Sequence, residues 1–266
     1  MIEITERMDE ILDLARAKSA PEKRDAIERF VSAYFRQAPP EDLMERRVDD
    51  LYGAALSHWN FARKREPGKP KLRVFNPTIE EHGWQSRHTV IEIVNDDMPF
   101  LVDSVTMEVN RHGLTIHLII HPIMWARRRA DGELEEMPAP SGEGAIPESL
   151  MRVEVDRMVS QEKMAALAAD LKRVLGDVHR AVTDWKKMVA KVDEALKEID
   201  ATHPPLAPDE VLEGKAFLRW LSDNHFTFLG YRCYDLTGAK GEEALRVVPG
   251  SGLGILREDN GKSAGS

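Results

Sequence analysis

A strand, a helix and a second strand are compressed into residues 88–125, and this stretch restricts the chain to folds in which a helix lies on a sheet. HTVIEIV (88–94) is β-branched at nearly every position between polar flanks, the pattern of a strand covered on both faces. The turn Asn95-Asp96-Asp97 follows, and Pro99 falls where a first helical turn tolerates a missing N–H. The two aspartates sit where caps and the helix dipole favour negative charge, so they are expected to start the helix. Leu101, Val102, Val105, Val109 and His112 share one face, with Ser104, Met107, Glu108 and Arg111 opposite, which defines an amphipathic helix. Gly113 can end it, and LTIHLIIHPIMW (114–125) resumes the strand pattern. Because Pro122 cannot donate to a ladder, this second strand is expected at a sheet edge.

The flanking segments extend the same architecture. Residues 1–66 read as about three helices punctuated by Pro21 and Pro39-Pro40, with Ile27, Phe30, Val31 and Tyr34 among the periodic apolar positions. REPGKPK (65–71) breaks that pattern, and KLRVFN (71–76) is a short strand expected beside 88–94. Residues 126–149 read as a long mobile loop. SLMRVEVD (149–156) alternates, which predicts Met151, Val153 and Val155 inward and Arg152, Glu154 and Asp156 outward.

From Ser160 the apolar residues Met164, Leu171, Val178, Trp185, Val192 and Ile199 recur every seven positions. Leu167, Val174, Ala181, Met188 and Ala195 complete the register, and a third apolar position widens the stripe beyond a two-stranded seam. A helix of up to about 40 residues follows from that spacing, packed within the subunit or against another copy. Thr202-His203-Pro204-Pro205 stops it. A shorter helix opens at Asp209 with Val211, Leu218 and Leu221 inward and Asn224 closing it, and the aromatic strand HFTFLGYRCYDL (225–236) pairs with LRVVP (245–249).

Composition then removes function classes. A net charge of −9, with 37 basic against 46 acidic residues, argues against a nucleic-acid footprint. The one tight basic run, Arg127-Arg128-Arg129, reads as a solvated loop start. The single cysteine, Cys233, excludes an internal disulfide and a thiolate cage, and no apolar run approaches the roughly 18 residues of a membrane span. A cytoplasmic protein is expected.

Candidate chemistry is sparse. His117 and His121 share a strand face but stand about 13 Å apart, too far to chelate one ion. No metal site is expected from them or from His82, His88 and His112. Asp96, Asp97 and Asp103 have cap and surface roles available, so no catalytic residue is assigned. Gly250, Gly252 and Gly254 lack the following helix that a phosphate loop needs. No nucleophile-base pair and no dinucleotide-binding strand, turn and helix are present, so no cofactor site is expected.

Three blocks carry a resemblance: 76–113, FLRWLSDNHFTFLGYR (217–232) and PGSGLGILR (249–257) are similar, in order, to the N-terminal region of the large bacterial NAD-specific glutamate dehydrogenases. NDDMPFLVDSV (95–105) also resembles the turn and helix start of ACT domains, with Phe100 where that pattern has glycine. The resemblance implies an α+β fold: a helical segment over 1–66, an ACT-like (ferredoxin-like βαββαβ) domain over 70–200 with an extended second helix, and a helix plus hairpin over 208–257 leading into a further domain. It implies a non-catalytic regulatory and assembly region whose parent uses NAD to convert L-glutamate to 2-oxoglutarate. Its partners would be downstream domains, further copies of the chain and an amino-acid effector. The residues it marks for that effector are Asn95, Asp96, Asp97, Met98, Pro99 and Phe100, although the Phe100 side chain would fill the space that glycine leaves open. The fourth strand of the sheet has to come from 225–236 or be missing. A stand-alone amino-acid-sensing module is the alternative.

Overall fold

The computed structural model describes residues 2–142, 144–202, 204–239 and 243–257, in two compact units, 1–175 and 176–266. His203 of the expected helix stop and the polar tail over 258–266 lie outside the described residues.

The first unit opens with helices α1 (Ile2–Lys18), α2 (Arg24–Phe35), the short α3 (Pro40–Met44) and α4 (Val48–Ala62). The prolines act as the sequence indicated: Pro21 begins a short 3-10 turn and Pro40 occupies the first turn of α3, where no N–H is required. Ile11, Phe30, Val31, Tyr34, Leu51 and Ala55 bury the facing stripes, and the Phe30 ring meets Trp59 edge-on at 4.8 Å.

Six strands follow: β1 (Lys71–Phe75), β2 (Thr89–Asp96), β3 (Ile116–Ile120), β4 (Ile123–Arg128), β5 (Leu134–Glu136) and β6 (Ala145–Val155). They form one antiparallel sheet in the order β1-β2-β6-β4-β5, with β3 also paired to β6. Between β1 and β2 lies the single turn α5 (Ile79–His82), capped by the Thr78 hydroxyl and closed by Gly83 in the left-handed region. Helix α6 (Leu101–Arg111) joins β2 to β3, and α7 (Gln161–Thr202) follows β6.

The β2-α6-β3/β4-β6-α7 order is the start of a ferredoxin-like unit, and the strand that completes its sheet comes from an unexpected place. In a βαββαβ sheet the fourth strand lies antiparallel beside the first. Here β1, which precedes the unit, takes that position, from Lys71 opposite Val94 to Phe75 opposite Val90. The expected fourth strand at 225–236 is not in this sheet; what forms there pairs in two separate small ones. The pairing of 71–76 with 88–94 is as the sequence indicated.

Pro122 divides the expected 114–125 strand in two. Both halves pair with β6, and the Pro122 carbonyl still accepts from the Leu150 N–H at 3.1 Å, so the break costs one donor only. Of these two halves, β3 keeps an edge without a ladder partner among the described residues, whereas β5 covers β4. The expected long loop over 126–149 is correspondingly shorter, with β4 running to Arg128 and β6 starting at Ala145.

β6 corrects the half-buried reading of 149–156. Arg152 and Glu154 are as buried as Met151, Val153 and Val155. The cause is tertiary: the N-terminal helices cover the sheet face expected to meet solvent, where Val94, Leu118, Ile120, Met124 and Leu150 merge into their core. Strand alternation assigns Ile91, Ile93, Met151, Val153 and Val155 to the opposite face. That face is left for α6 and the first turns of α7, whose Val105, Val109, Met164, Leu167 and Leu171 are buried.

The heptad reading of the long helix holds: α7 is continuous for 42 residues and passes through Gly176. In the second unit its later part is followed by α8 (Pro208–Trp220), which ends in a turn with Asn224 at φ 60. No residue of α8 is fully buried; Val211, Leu218 and Leu221 are its half-buried side, while Leu212 and Phe217 stand exposed. The aromatic strand is reduced to β7 (Gly230–Tyr231) and β8 (Tyr234–Thr237). β8 pairs with β9 (Ala244–Val247) as a hairpin, and β7 pairs with β10 (Leu253–Gly254).

Two of the terminal glycines, Gly252 and Gly254, allow close backbone approach. A Cβ on Gly254 would lie 2.1 Å from the Leu229 carbonyl oxygen, and the Gly254 N–H donates to the Asp184 carboxylate at 3.0 Å. Burial would raise the Asp184 carboxyl, but bonds from Arg257, Gly254 and Lys187 lower it to about 2.

Candidate functional site

The six residues marked for an effector form the end of β2 and the turn into α6. Asn95 is buried, with its Nδ2 lacking an acceptor among the described residues. Asp96 does not cap α6: it still belongs to β2, and its carboxylate accepts from Arg65 Nη2. Asp97 contributes its backbone N–H, which donates to the Pro147 carbonyl at 3.0 Å. Pro99 precedes the helix, whose N-cap is Phe100 with no side-chain cap bond.

Phe100 has φ 71, so it carries the left-handed backbone for which glycine would be the ordinary choice. The residue is 48% exposed. The turn therefore combines a left-handed backbone with an exposed aromatic side chain at the position where the ACT pattern has glycine.

Beneath this turn lies a buried ionic knot. Arg65 is fully buried and donates to Glu148 at 2.8 Å, to Asp96 and to the Lys69 carbonyl. Arg128 donates to both Glu148 oxygens, at 2.6 and 2.8 Å. Two guanidiniums thus share the fully buried Glu148 and the partly exposed Asp96. This also corrects the reading of the 127–129 run as solvated, because the Arg128 side chain is 6% exposed.

A second polar cluster sits between the N-terminal helices and the sheet. Arg152 donates to Glu154 at 2.7 Å and stacks over the Trp84 ring at 4.5 Å. Arg46 reaches Glu154 from the α3-α4 connection at 3.2 Å. Burial alone would raise the Glu154 carboxyl; Arg152 and Arg46 more than offset it and hold it below the usual range. Nearby, the Tyr34 hydroxyl lies 2.9 Å from His58 Nδ1, and His58 Nε2 lies 3.2 Å from the Ile93 carbonyl. That carbonyl can only accept, so Nε2 carries the proton and Nδ1 accepts from Tyr34. Burial pushes the His58 imidazole down to about 4.

The remaining histidines have separate partners. His117 lies 2.8 Å from Asp156, His121 lies 2.6 Å from the Ser149 hydroxyl, and the His88 and His117 rings stack at 4.1 Å. His117 and His121 thus engage different groups, as their spacing implied. The sequence reading missed one cluster: ligand atoms of Glu108, His112 and Asp170 converge within 4.8 Å. Arg111 pairs with both carboxylates and Arg173 joins them, so this is an ion-pair staple between α6 and α7. It also explains why Glu108, expected on the solvent face, is 5% exposed.

No helix among the described residues is long and apolar enough to cross a membrane. Cys233 is partly buried, with its sulfur 2.8 Å from the Tyr231 hydroxyl.

An antiparallel sheet in ferredoxin-like order, backed by α6 and α7 and carrying a left-handed turn at the start of the first helix, defines an α+β domain of the ACT-like class. The family described as glutamate dehydrogenase, ACT1 domain, matches residues 30–171, and the chain belongs to it. Among its relatives, the NAD-specific glutamate dehydrogenase of Halomonas elongata is 39% identical over 97% of this chain and 16% of its own length. That of Pseudomonas aeruginosa is 41% identical over 86% of this chain and 14% of its own length. The Mycobacterium tuberculosis protein of the same name is 30% identical over 77% of this chain. The chain thus spans about one sixth or less of the relatives it matches.

Proposed function

We propose that this chain is the regulatory and assembly region of an NAD-dependent glutamate dehydrogenase, and that it carries none of the chemistry itself. The parent enzyme would oxidise L-glutamate with NAD and water to 2-oxoglutarate, ammonia and NADH, in the cytoplasm. One observation supports this most: similarity runs over nearly the whole chain while taking up only 16% of a relative named for that reaction. Two clusters of buried ionizable groups tie the sheet to its neighbouring segments through ion pairs. Arg65, Arg128 and Glu148 make one knot, and Arg46, Arg152 and Glu154 the other. The proposed partners are the other domains of the parent and further copies of the chain.

The test is excision. A parent lacking residues 1–257 should lose its response to effectors or its assembly state, read by steady-state kinetics and analytical ultracentrifugation. If both are unchanged, the proposal fails. The isolated chain with glutamate and NAD should generate no NADH.

A second reading, amino-acid sensing by 95–100, is favoured by the buried Asn95 Nδ2 that has no acceptor. An Asn95→Ala variant that binds amino acids as the parent chain does would end it.

A further inference from the structure

In the second unit the apolar residues of α8 point two ways. At about 100° per residue, Leu212, Ala216, Phe217 and Trp220 fall within an arc of about 140°, on the other side of the helix from the half-buried Val211, Leu218 and Leu221. The first four are all exposed, and the Phe217 and Trp220 rings stack on each other at 6.2 Å. A helix that is apolar on both sides has two faces to bury, and only one of them is half covered.

The β8-β9 hairpin has the same imbalance. Tyr234 stands opposite Val247 and Leu236 opposite Leu245. Residues opposite each other share a face, so these four line one side of the hairpin, while Asp235, Arg246, Thr237 and Ala244 line the other. Such alternation belongs to a sheet with one buried face. Here that face is open: Leu236 and Leu245 are 70% and 69% exposed. A two-stranded hairpin is at best marginally stable in water without a layer packed against it. More than half of the exposed large apolar side chains among the described residues lie between Leu206 and Leu256, a concentration that marks a contact surface.

A second copy of the chain is a poor occupant, because a net charge of −9 opposes its approach and association loses translational and rotational freedom. The continuation of the parent polypeptide loses far less. The chain takes up only 16% of the Halomonas elongata relative, and Arg257, at the end of the described residues, is held within this unit by Asp184 at 2.9 Å. Whatever follows is thus tethered beside the open faces at high effective concentration.

We infer that the outward face of α8 and the apolar face of the β8-β9 hairpin are a docking surface for the polypeptide that follows residue 266 in the parent, which supplies the apolar layer each of them lacks. The inference rests on the reading that the chain is part of a longer glutamate dehydrogenase, and it names the surface through which this part is joined to the next.

Hydrogen–deuterium exchange read by mass spectrometry tests it on the parent enzyme and the isolated chain at equal concentration. Peptides over 208–220 and 234–247 are expected to exchange about tenfold or more slowly in the parent, because opening them then also opens a packed layer. In the isolated chain they exchange fast at every concentration. Leu236→Asp with Leu245→Asp should return the 234–247 peptide of the parent to the fast rate, yet leave the urea midpoint of the isolated chain unmoved, since both side chains already face solvent. Benzoylphenylalanine in place of Leu236 identifies the occupant. In the parent the expected photo-crosslink runs at the mass of one chain and joins position 236 to a peptide beyond 266. The inference is overturned if exchange is equal in the two proteins, if concentrating the isolated chain protects the peptides, or if position 236 crosslinks within 1–266, to a second chain or not at all. Its failure would leave the regulatory proposal standing, because that is decided by excision from the parent; a parent indifferent to excision but protected at these peptides would leave only the docking.

Discussion

The buried His58 makes the first unit sensitive to acid, and the size of the effect follows from its surroundings. The neutral ring accepts from Tyr34 and donates to the Ile93 carbonyl; a second proton would sit on Nδ1, where the Tyr34 hydroxyl would have to turn around. Its folded pKa of about 4 lies below the ordinary 6.5, so the unfolded chain binds the proton first and acid favours unfolding. The loss begins as pH falls through 6.5 and levels off below 4. Two and a half units correspond to about 3.4 kcal/mol in full, of which about 2.5 kcal/mol accrues between pH 7.5 and 4.5. Urea unfolding of the chain and of His58→Gln at both pH values isolates this contribution, because His88, His121 and the carboxylates are common to the two. The variant should be less stable at pH 7.5 through its altered packing, yet lose about 2.5 kcal/mol less on acidification. Equal losses in the two proteins, or an NMR titration of His58 centred near 6.5, would refute the argument.

Three further outcomes are expected. Arg65→Met should cost about 3 kcal/mol, because buried carboxylate Glu148 loses one of its two guanidiniums and Asp96 is released; a loss under about 1 kcal/mol would show that Arg128 suffices. At Phe100, with φ 71, Phe100→Gly should exceed Phe100→Ala in stability by about 1 kcal/mol in thermal unfolding, and equality would mean that the turn relaxes. In the second unit, the fully buried Asp184 has its pKa held at about 2, so its stabilisation is complete above 3.8 and disappears as pH falls toward 2. Asp184→Asn should therefore remove about 2 kcal/mol at neutral pH and speed exchange of the Gly254 amide, while unchanged exchange would remove Asp184 from that role.

What the sequence could reveal depended on how local each signal was. Helical spacing in 161–202 and β-branched density in 89–96 are read off neighbouring residues, and both elements formed where the patterns lay. The terminal glycines were read apart from a phosphate loop because such a loop needs a helix next in the chain; that Gly254 faces the Leu229 carbonyl was visible only in the fold. Phe100 was marked by its mismatch with an ACT glycine, but only coordinates revealed that it adopts the glycine's backbone.

The elements and the family were thus determined by the order of residues. Which faces are buried was decided by the tertiary structure. Alternation in 149–156 is the ordinary signature of one wet face, and the N-terminal helices covered that face from more than a hundred residues away, so Arg152 and Glu154 had to pair with each other and with Arg46. For the same reason β1 could become the sheet's completing strand: backbone pairing is blind to chain order, and the vacant edge of β2 was filled by the segment whose connection reached it. A cleft lined by Arg46, Glu80, Arg87 and Arg157 is likewise a product of packing, because segments far apart in sequence supply these residues, which reach one surface only when helices and sheet come together.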